Sequence, residues 1–200
     1  MRTFLLILMV LLATGAPIQA QNLSKQAKAV EVIENLGGKV EYDTEKKTVV
    51  KVDLHDTKIT AADLKNLEIF NDIQWLDLRM TTIGDEGMTH LKKLKKLVFL
   101  NLFRTNLSDQ GLAKLKNLTN LETLLIGRTK ITDAGLKNLK NFSKLNRLSL
   151  FRTDISDAGL KYLEKLKALE SLLLGGSKVT EEGRKSLQKV LPKISFTEQT

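Results

Sequence analysis

The sequence predicts an α/β fold, a solenoid of stacked strand–helix units, and three observations predict it. First, six 24-residue segments beginning at Val49, Ile73, Leu97, Leu121, Leu145 and Leu169 follow one another without insertion or deletion. Each reads close to L-x-x-L-x-L-x-x-T-x-[IL]-[ST]-D-x-G-L-x-x-L-x-x-L. A period this short marks a supersecondary unit that buries its apolar face only against copies of itself. Second, the first, fourth and sixth positions are aliphatic, as in Leu97-Val98-Phe99-Leu100-Asn101-Leu102. The alternation around the last two is that of a strand with one face in a core. Third, Leu112, Leu115 and Leu118 recur behind Ser108-Asp109, a hydroxyl N-cap followed by an acid in the first turn. That pattern starts a short helix, expected on the convex side.

Two further columns follow from the same register. Gly87, Gly111, Gly135, Gly159 and Gly183 stand early in the helix, where glycine costs up to ~1 kcal/mol relative to alanine. Close approach of stacked units is the expected compensation. Thr57, Thr81, Thr105, Thr129, Thr153 and Ser177 fill the ninth position. A hydroxyl directly after a strand can satisfy backbone groups of its own turn, so this ladder reads as structural.

The flanking segments divide the rest of the chain. Residues 1–20 read as a signal peptide: Arg2 is a minimal basic start, Phe4 to Leu12 an unbroken apolar run, and Ala13 to Ala20 a small-residue stretch. The apolar run is well short of the ~20 residues a spanning helix needs. Residues 21–48 form an N-terminal cap. In it, Ala27, Val30, Ile33 and Leu36 have helical spacing, Gly37-Gly38 stop the helix, and Lys39 to Tyr42 begin a hairpin into the first repeat strand. Repeats occupy 49–192, and 193–200 read as a C-terminal cap or tail after Pro192.

Charge is distributed as the register requires. The whole chain carries +9, and loss of the leader with Arg2 leaves about +8. Lys92, Lys93, Lys95, Lys96, Lys114, Lys116, Lys137, Lys140, Lys144, Lys161, Lys165 and Lys167 all fall in the second halves of repeats. They are expected on the outside as a solvated face, with polyanion binding as the alternative. The chain has no cysteine, hence neither a disulfide framework nor a lipid-attachment thiol.

These in-frame copies resemble leucine-rich repeat proteins. The L-x-x-L-x-L-x-x-T-x-I-T-D-x-G-L form is similar to the cysteine-containing-type class of secreted bacterial proteins and of F-box recognition arms. The resemblance covers Val49 to about Pro192 and implies a right-handed β/α horseshoe with an N-terminal helix-hairpin cap, parallel strands on the concave face, and protein–protein recognition without catalysis. Thr replaces the usual Asn or Cys of the strand-end ladder, and Ala61 and Asp63 replace the usual Asp and Gly in the first repeat.

Strand periodicity places the third, fifth and seventh positions on the concave face and the eighth at its rim. Trp75, Phe99, Phe103, Leu125 and Phe151 are therefore expected to form a contiguous apolar patch, which monomers rarely expose without a partner. Phe103 and Phe151 flank Gly127, leaving either a slot for a partner side chain or two rings that lean over the glycine. Arg104, Arg128 and Arg152 fill the eighth position beside Arg79. They are expected either to bind an anionic group or to pair with Asp109, Asp133 and Asp157.

No enzyme is expected, and no cofactor or metal. His55 and His90 fall on opposite sides of the unit, and no phosphate-binding glycine loop is present. The reading is an exported, non-enzymatic protein-binding scaffold, secreted or periplasmic, with a protein partner on the concave face. Two alternatives are an envelope or matrix scaffold that binds polyanions through the convex lysines, and a recognition arm resembling F-box proteins. Nucleic acid is not expected as a partner.

Overall fold

The computed structural model describes residues 17–45 and 47–198. The expected leader lies outside the described residues except for its last four positions. These belong to a helix, α1 (Pro17–Asn35), that starts earlier than the Ser24 expected from hydrophobic spacing. Gly37, with φ +86°, ends its C-terminal turn in the left-handed region. Ala29, Val30 and Ile33 of α1 enter the core. Leu36 is half-buried and packs against that core, and Ala27 is half-buried.

One eight-stranded sheet runs through the molecule in sequence order. β1 (Lys39–Tyr42) is antiparallel to β2 (Val49–Asp53), with a bulge at Glu41/Tyr42. Then β3 (Trp75–Asp77), β4 (Phe99–Asn101), β5 (Thr123–Leu125), β6 (Arg147–Ser149), β7 (Ser171–Leu173) and β8 (Ser195–Thr197) continue in parallel. Each step advances the register by one repeat, from Lys51 opposite Trp75 to Ser171 opposite Ser195. The segment expected as a C-terminal cap or tail supplies a seventh rung in frame, and Pro192 precedes a strand that has no helix of its own among the described residues.

The returning halves are short. They are a 3-10 helix at Asp63–Ile69, then α2 (Met88–Leu91), α3 (Asp109–Lys114), α4 (Asp133–Leu136), α5 (Asp157–Leu160) and the longer α6 (Glu181–Val190). The hydroxyls of Ser108, Thr132, Ser156 and Thr180 cap α3 to α6 by accepting backbone N–H groups. Gly84 stands at that position in the second repeat, with no side chain to cap, and α2 begins only at Met88.

The aliphatic columns form one continuous core between sheet and helices. Val52, Leu76, Leu100, Leu124, Leu148 and Leu172 are fully buried, as are Leu54, Leu78, Leu102, Ile126, Leu150 and Leu174. Five of the six ninth-position hydroxyls, from Thr57 to Thr153, donate to the carbonyl three residues back at 2.6–2.7 Å. Ser177 instead accepts from Val179 N at 3.4 Å.

Adjacent units are joined by a polar lock beside the glycine column. Asp85, Asp109, Asp133 and Asp157 each accept from the backbone N and the hydroxyl of the next repeat's N-cap residue, with lengths of 2.5–2.9 Å. The same carboxylates press against the next glycine. A Cβ on Gly111, Gly135, Gly159 or Gly183 would lie 2.0–2.2 Å from an aspartate oxygen. Gly87 faces Leu64 instead, because Ala61 stands where the first repeat would carry its aspartate.

Candidate functional site

The concave face is set by the sheet register. Third-position side chains align as Lys51, Trp75, Phe99, Thr123, Arg147 and Ser171. Trp75 and Phe99 stack with ring centroids 4.8 Å apart and planes 7° from parallel. Lys51 Nζ lies 4.5 Å from the Trp75 ring and 2.7 Å from Glu41.

At the seventh position the second of the two expected arrangements is present, with rings leaning over glycine. Phe103 and Phe151 approach to 6.4 Å between centroids, tilted by 31°. Each leans over the glycine of the following repeat: a Cβ on Gly127 would meet Phe103 Cδ2 at 3.1 Å, and one on Gly175 would meet Phe151 Cδ2 at 3.1 Å. Two glycines thus let two rings lie flat and touch. The five apolar residues comprise two ring pairs, with Leu125 on the fifth-position row, and all five are half-buried.

The fifth position departs from the expected exposure. Asp77, Asn101 and Ser149 are buried at 1–3 % exposure. Asp53, Asp77 and Asn101 accept the N–H of His55, Arg79 and Phe103, two residues on, at 2.9–3.1 Å. Asn101 also donates to Asp77 at 3.3 Å. The two aspartates titrate in opposite directions. Burial raises the Asp77 carboxyl above its usual range even though the Arg79 guanidinium stands 3.0 Å away. Burial also disfavours the Asp53 carboxylate, but side-chain and backbone hydrogen bonds from His55 outweigh it and hold the group low.

At the rim, the eighth position is left-handed throughout. Asp56, Met80, Arg104, Arg128 and Arg152 have φ of +50° to +60°, and Gly176 has +73°. Their N–H groups extend the sheet ladder, Arg104 to Gly127 O at 2.9 Å, Arg128 to Phe151 O at 2.7 Å and Arg152 to Gly175 O at 2.8 Å. Arg104, Arg128 and Arg152 are exposed, and none forms an ion pair among the described residues. The expected partners Asp109, Asp133 and Asp157 are engaged in the inter-repeat lock. Arg128 instead lies 5.9 Å from the Phe103 ring and 5.8 Å from Phe151, and Arg152 lies 5.2 Å from Phe151. Arg79 stands apart, paired with the buried Asp77.

Sequence reasoning missed Met80. It is 42 % exposed on the rim beside the arginines, and its eighth-position register was the available signal. It also missed a cleft of about 600 Å³ between the cap and the first turn, lined by Leu36, Lys39, Asp53, His55 and Lys58 among others. His55 bonds Asp53 and His90 bonds Glu68, each at 2.7 Å. No cluster of three metal-ligating side chains occurs among the described residues. Nor is any helix among them long and apolar enough to cross a membrane. The twelve convex lysines are all exposed; Lys93 and Lys96 pair with Glu68 and Asp72.

A family profile described as a leucine-rich repeat matches residues 72–92, 117–140 and 143–163. Among solved structures, internalin C2 of Listeria monocytogenes matches with a TM-score of 0.55 and 24% identity, over 74% of this chain and 71% of that one. An internalin of the same organism, InlF, matches with a TM-score of 0.57 and 21% identity, over 84% of this chain and 54% of that one. This chain thus spans about half the length of the second neighbour. No curated protein matches in sequence. With the unbroken repeat register, the parallel sheet and the profile match together, the chain carries leucine-rich repeats, stacked as an α/β solenoid of the kind that offers extended surfaces for protein binding.

Proposed function

We propose that this is an exported, non-enzymatic scaffold that binds a protein partner on its concave face. The contact residues would be Trp75, Phe99, Phe103, Leu125 and Phe151, with Arg79, Arg104, Arg128 and Arg152 around them. One observation carries the reading. The repeat consensus asks for no aromatic residue at these positions, yet rings occupy them as two preassembled pairs. Rigid aromatic pairs at the centre of a face, with arginines beside them, are the side chains that dominate protein interfaces. Their half-burial means that little side-chain entropy is lost on binding. Export rests on the leader-like residues 1–20 and a secreted or periplasmic location follows from it.

The test is a pull-down from the extracytoplasmic fraction of the source cells, comparing three proteins. These are the unmodified chain, a Phe103→Ala/Phe151→Ala variant and a Lys92→Glu/Lys95→Glu variant. The reading predicts that the ring variant loses the captured protein and the lysine variant keeps it. The reverse pattern would move the site to the convex lysines and a polyanionic ligand. An intact Met1 in a cytoplasmic fraction would remove the export argument.

A further inference from the structure

We infer that Arg104, Arg128 and Arg152, the last two held against the Phe103–Phe151 ring pair, form a clamp for an acidic segment of the protein partner; this rests on the concave-face reading above. The three arginines stand at one position of three consecutive rungs, each hydrogen-bonded to the next strand end. Parallel strands lie ~4.8 Å apart, so the outer two backbones are roughly 10 Å apart and three positive charges share one short edge. Such crowding is unfavourable in isolation. Two other arginines are neutralised, Arg79 by Asp77 and Arg184 by Glu198. Here the nearby helix-start aspartates are committed to the next repeat's N-cap. The rim is left with uncompensated charge.

What holds Arg128 and Arg152 is aromatic. Contact with a ring face fixes a guanidinium without cancelling its charge or occupying its N–H donors. The donors therefore remain available, in a partly fixed arrangement, for the two-pronged bonds that guanidinium makes with carboxylate. Polarity along the rim sets the location. Asp56 occupies the equivalent place in the first repeat and Met80 in the second, so an acidic segment is repelled at one end and drawn over the third to fifth repeats. Partly accessible Phe103, Leu125 and Phe151 beside the arginines favour a polypeptide that alternates acidic and apolar side chains. A simple polyanion would use the charges and leave the rings unused.

The probe is a fluorescent peptide of repeating Glu-Leu-Glu, with its Gln-Leu-Gln counterpart and heparin as comparison ligands, measured by anisotropy near physiological salt. The clamp predicts that the Gln peptide binds at least about tenfold more weakly than the Glu peptide, ~1.4 kcal/mol. It predicts a similar loss of the Glu peptide in Arg104→Asn/Arg128→Asn/Arg152→Asn. Asparagine tolerates the left-handed backbone, so this variant keeps the turns; an unchanged circular-dichroism melt verifies that. Lys92→Gln/Lys95→Gln is expected to bind the Glu peptide as the unmodified chain does. Equal binding of the two peptides, no binding of either, or full binding by the arginine variant would each overturn the clamp. Heparin binding without peptide binding would overturn it in favour of a polyanion. If the clamp fails while the ring variant still loses its native partner, the concave-face reading stands; if the ring variant also keeps the partner, both fall.

Discussion

The lock between Asp109 and Gly135 offers a prediction whose sign reverses with background. Asp109 accepts from Thr132 N at 2.9 Å and Thr132 Oγ1 at 2.7 Å, and its Oδ1 fills the place of a Gly135 Cβ at 2.2 Å. Gly135 has no positive φ, so its requirement is space and not backbone freedom. Asp109→Ala removes two bonds to a charged acceptor, at ~1.5 kcal/mol each before water replaces part of them, a net loss of ~2–3 kcal/mol. Gly135→Ala forces the carboxylate off the same partners. It regains up to ~1 kcal/mol of helix propensity, for a net loss of ~2 kcal/mol. In the Asp109→Ala background the obstruction is gone, and the next atom in the way is Ile131 Cγ2 at 3.3 Å. There Gly135→Ala should be neutral or stabilising by up to ~1 kcal/mol. A double-mutant cycle by urea denaturation should show a coupling of ~2–3 kcal/mol between residues in adjacent repeats. Equal cost of Gly135→Ala in both backgrounds would refute the lock.

Further expectations concern the columns and the site. Thr105→Val leaves the Leu102 carbonyl without its 2.7 Å donor in a buried turn and should cost ~1–2 kcal/mol. Ser177→Ala, whose hydroxyl accepts only a long bond, should cost under ~0.5 kcal/mol by the same denaturation assay. Carboxyl NMR titration should find Asp77 protonating above its ordinary 3.8 and Asp53 below it. A raised pKa means that the folded state binds the Asp77 proton more tightly than the unfolded one. Its contribution is full at low pH and is lost as pH rises through the folded value. Asp77→Asn should therefore gain stability relative to the unmodified chain as pH rises from 3.8 through that value, and the difference should then level off. Phe99→Ala should uncover the single tryptophan, Trp75, from its 4.8 Å stack, shifting its emission to the red; unchanged emission would contradict the stacking.

Fold was legible because the repeat forces agreement among columns. Any one leucine is ambiguous, but six in frame fix strand, helix and face together, and the register holds down to the pairing of Ser171 with Ser195. The last strand, Ser195 to Thr197, was not legible as a rung because no helix completing a unit follows it among the described residues.

Less of the candidate site was legible. Positions on the concave face follow from strand alternation, but contacts between neighbouring side chains do not. Alternation alone would expose Asp77 and Asn101; their short side chains bend back to the strand-end N–H groups and are covered. The Phe103–Phe151 contact depends on both Gly127 and Gly175, a relation across four repeats. The arginines' lack of carboxylate partners follows from the aspartates serving the lock, which the consensus shows only as Asp-x-Gly.

The central claim is that the partner is held on the concave face. Its most direct measurement is photo-cross-linking in the source cells, with a photoreactive phenylalanine at Leu125, between the two ring pairs, or at Tyr162, exposed on the convex side. The account predicts a protein adduct from position 125 and none from position 162. An adduct from 162 alone, or none from either, would contradict it.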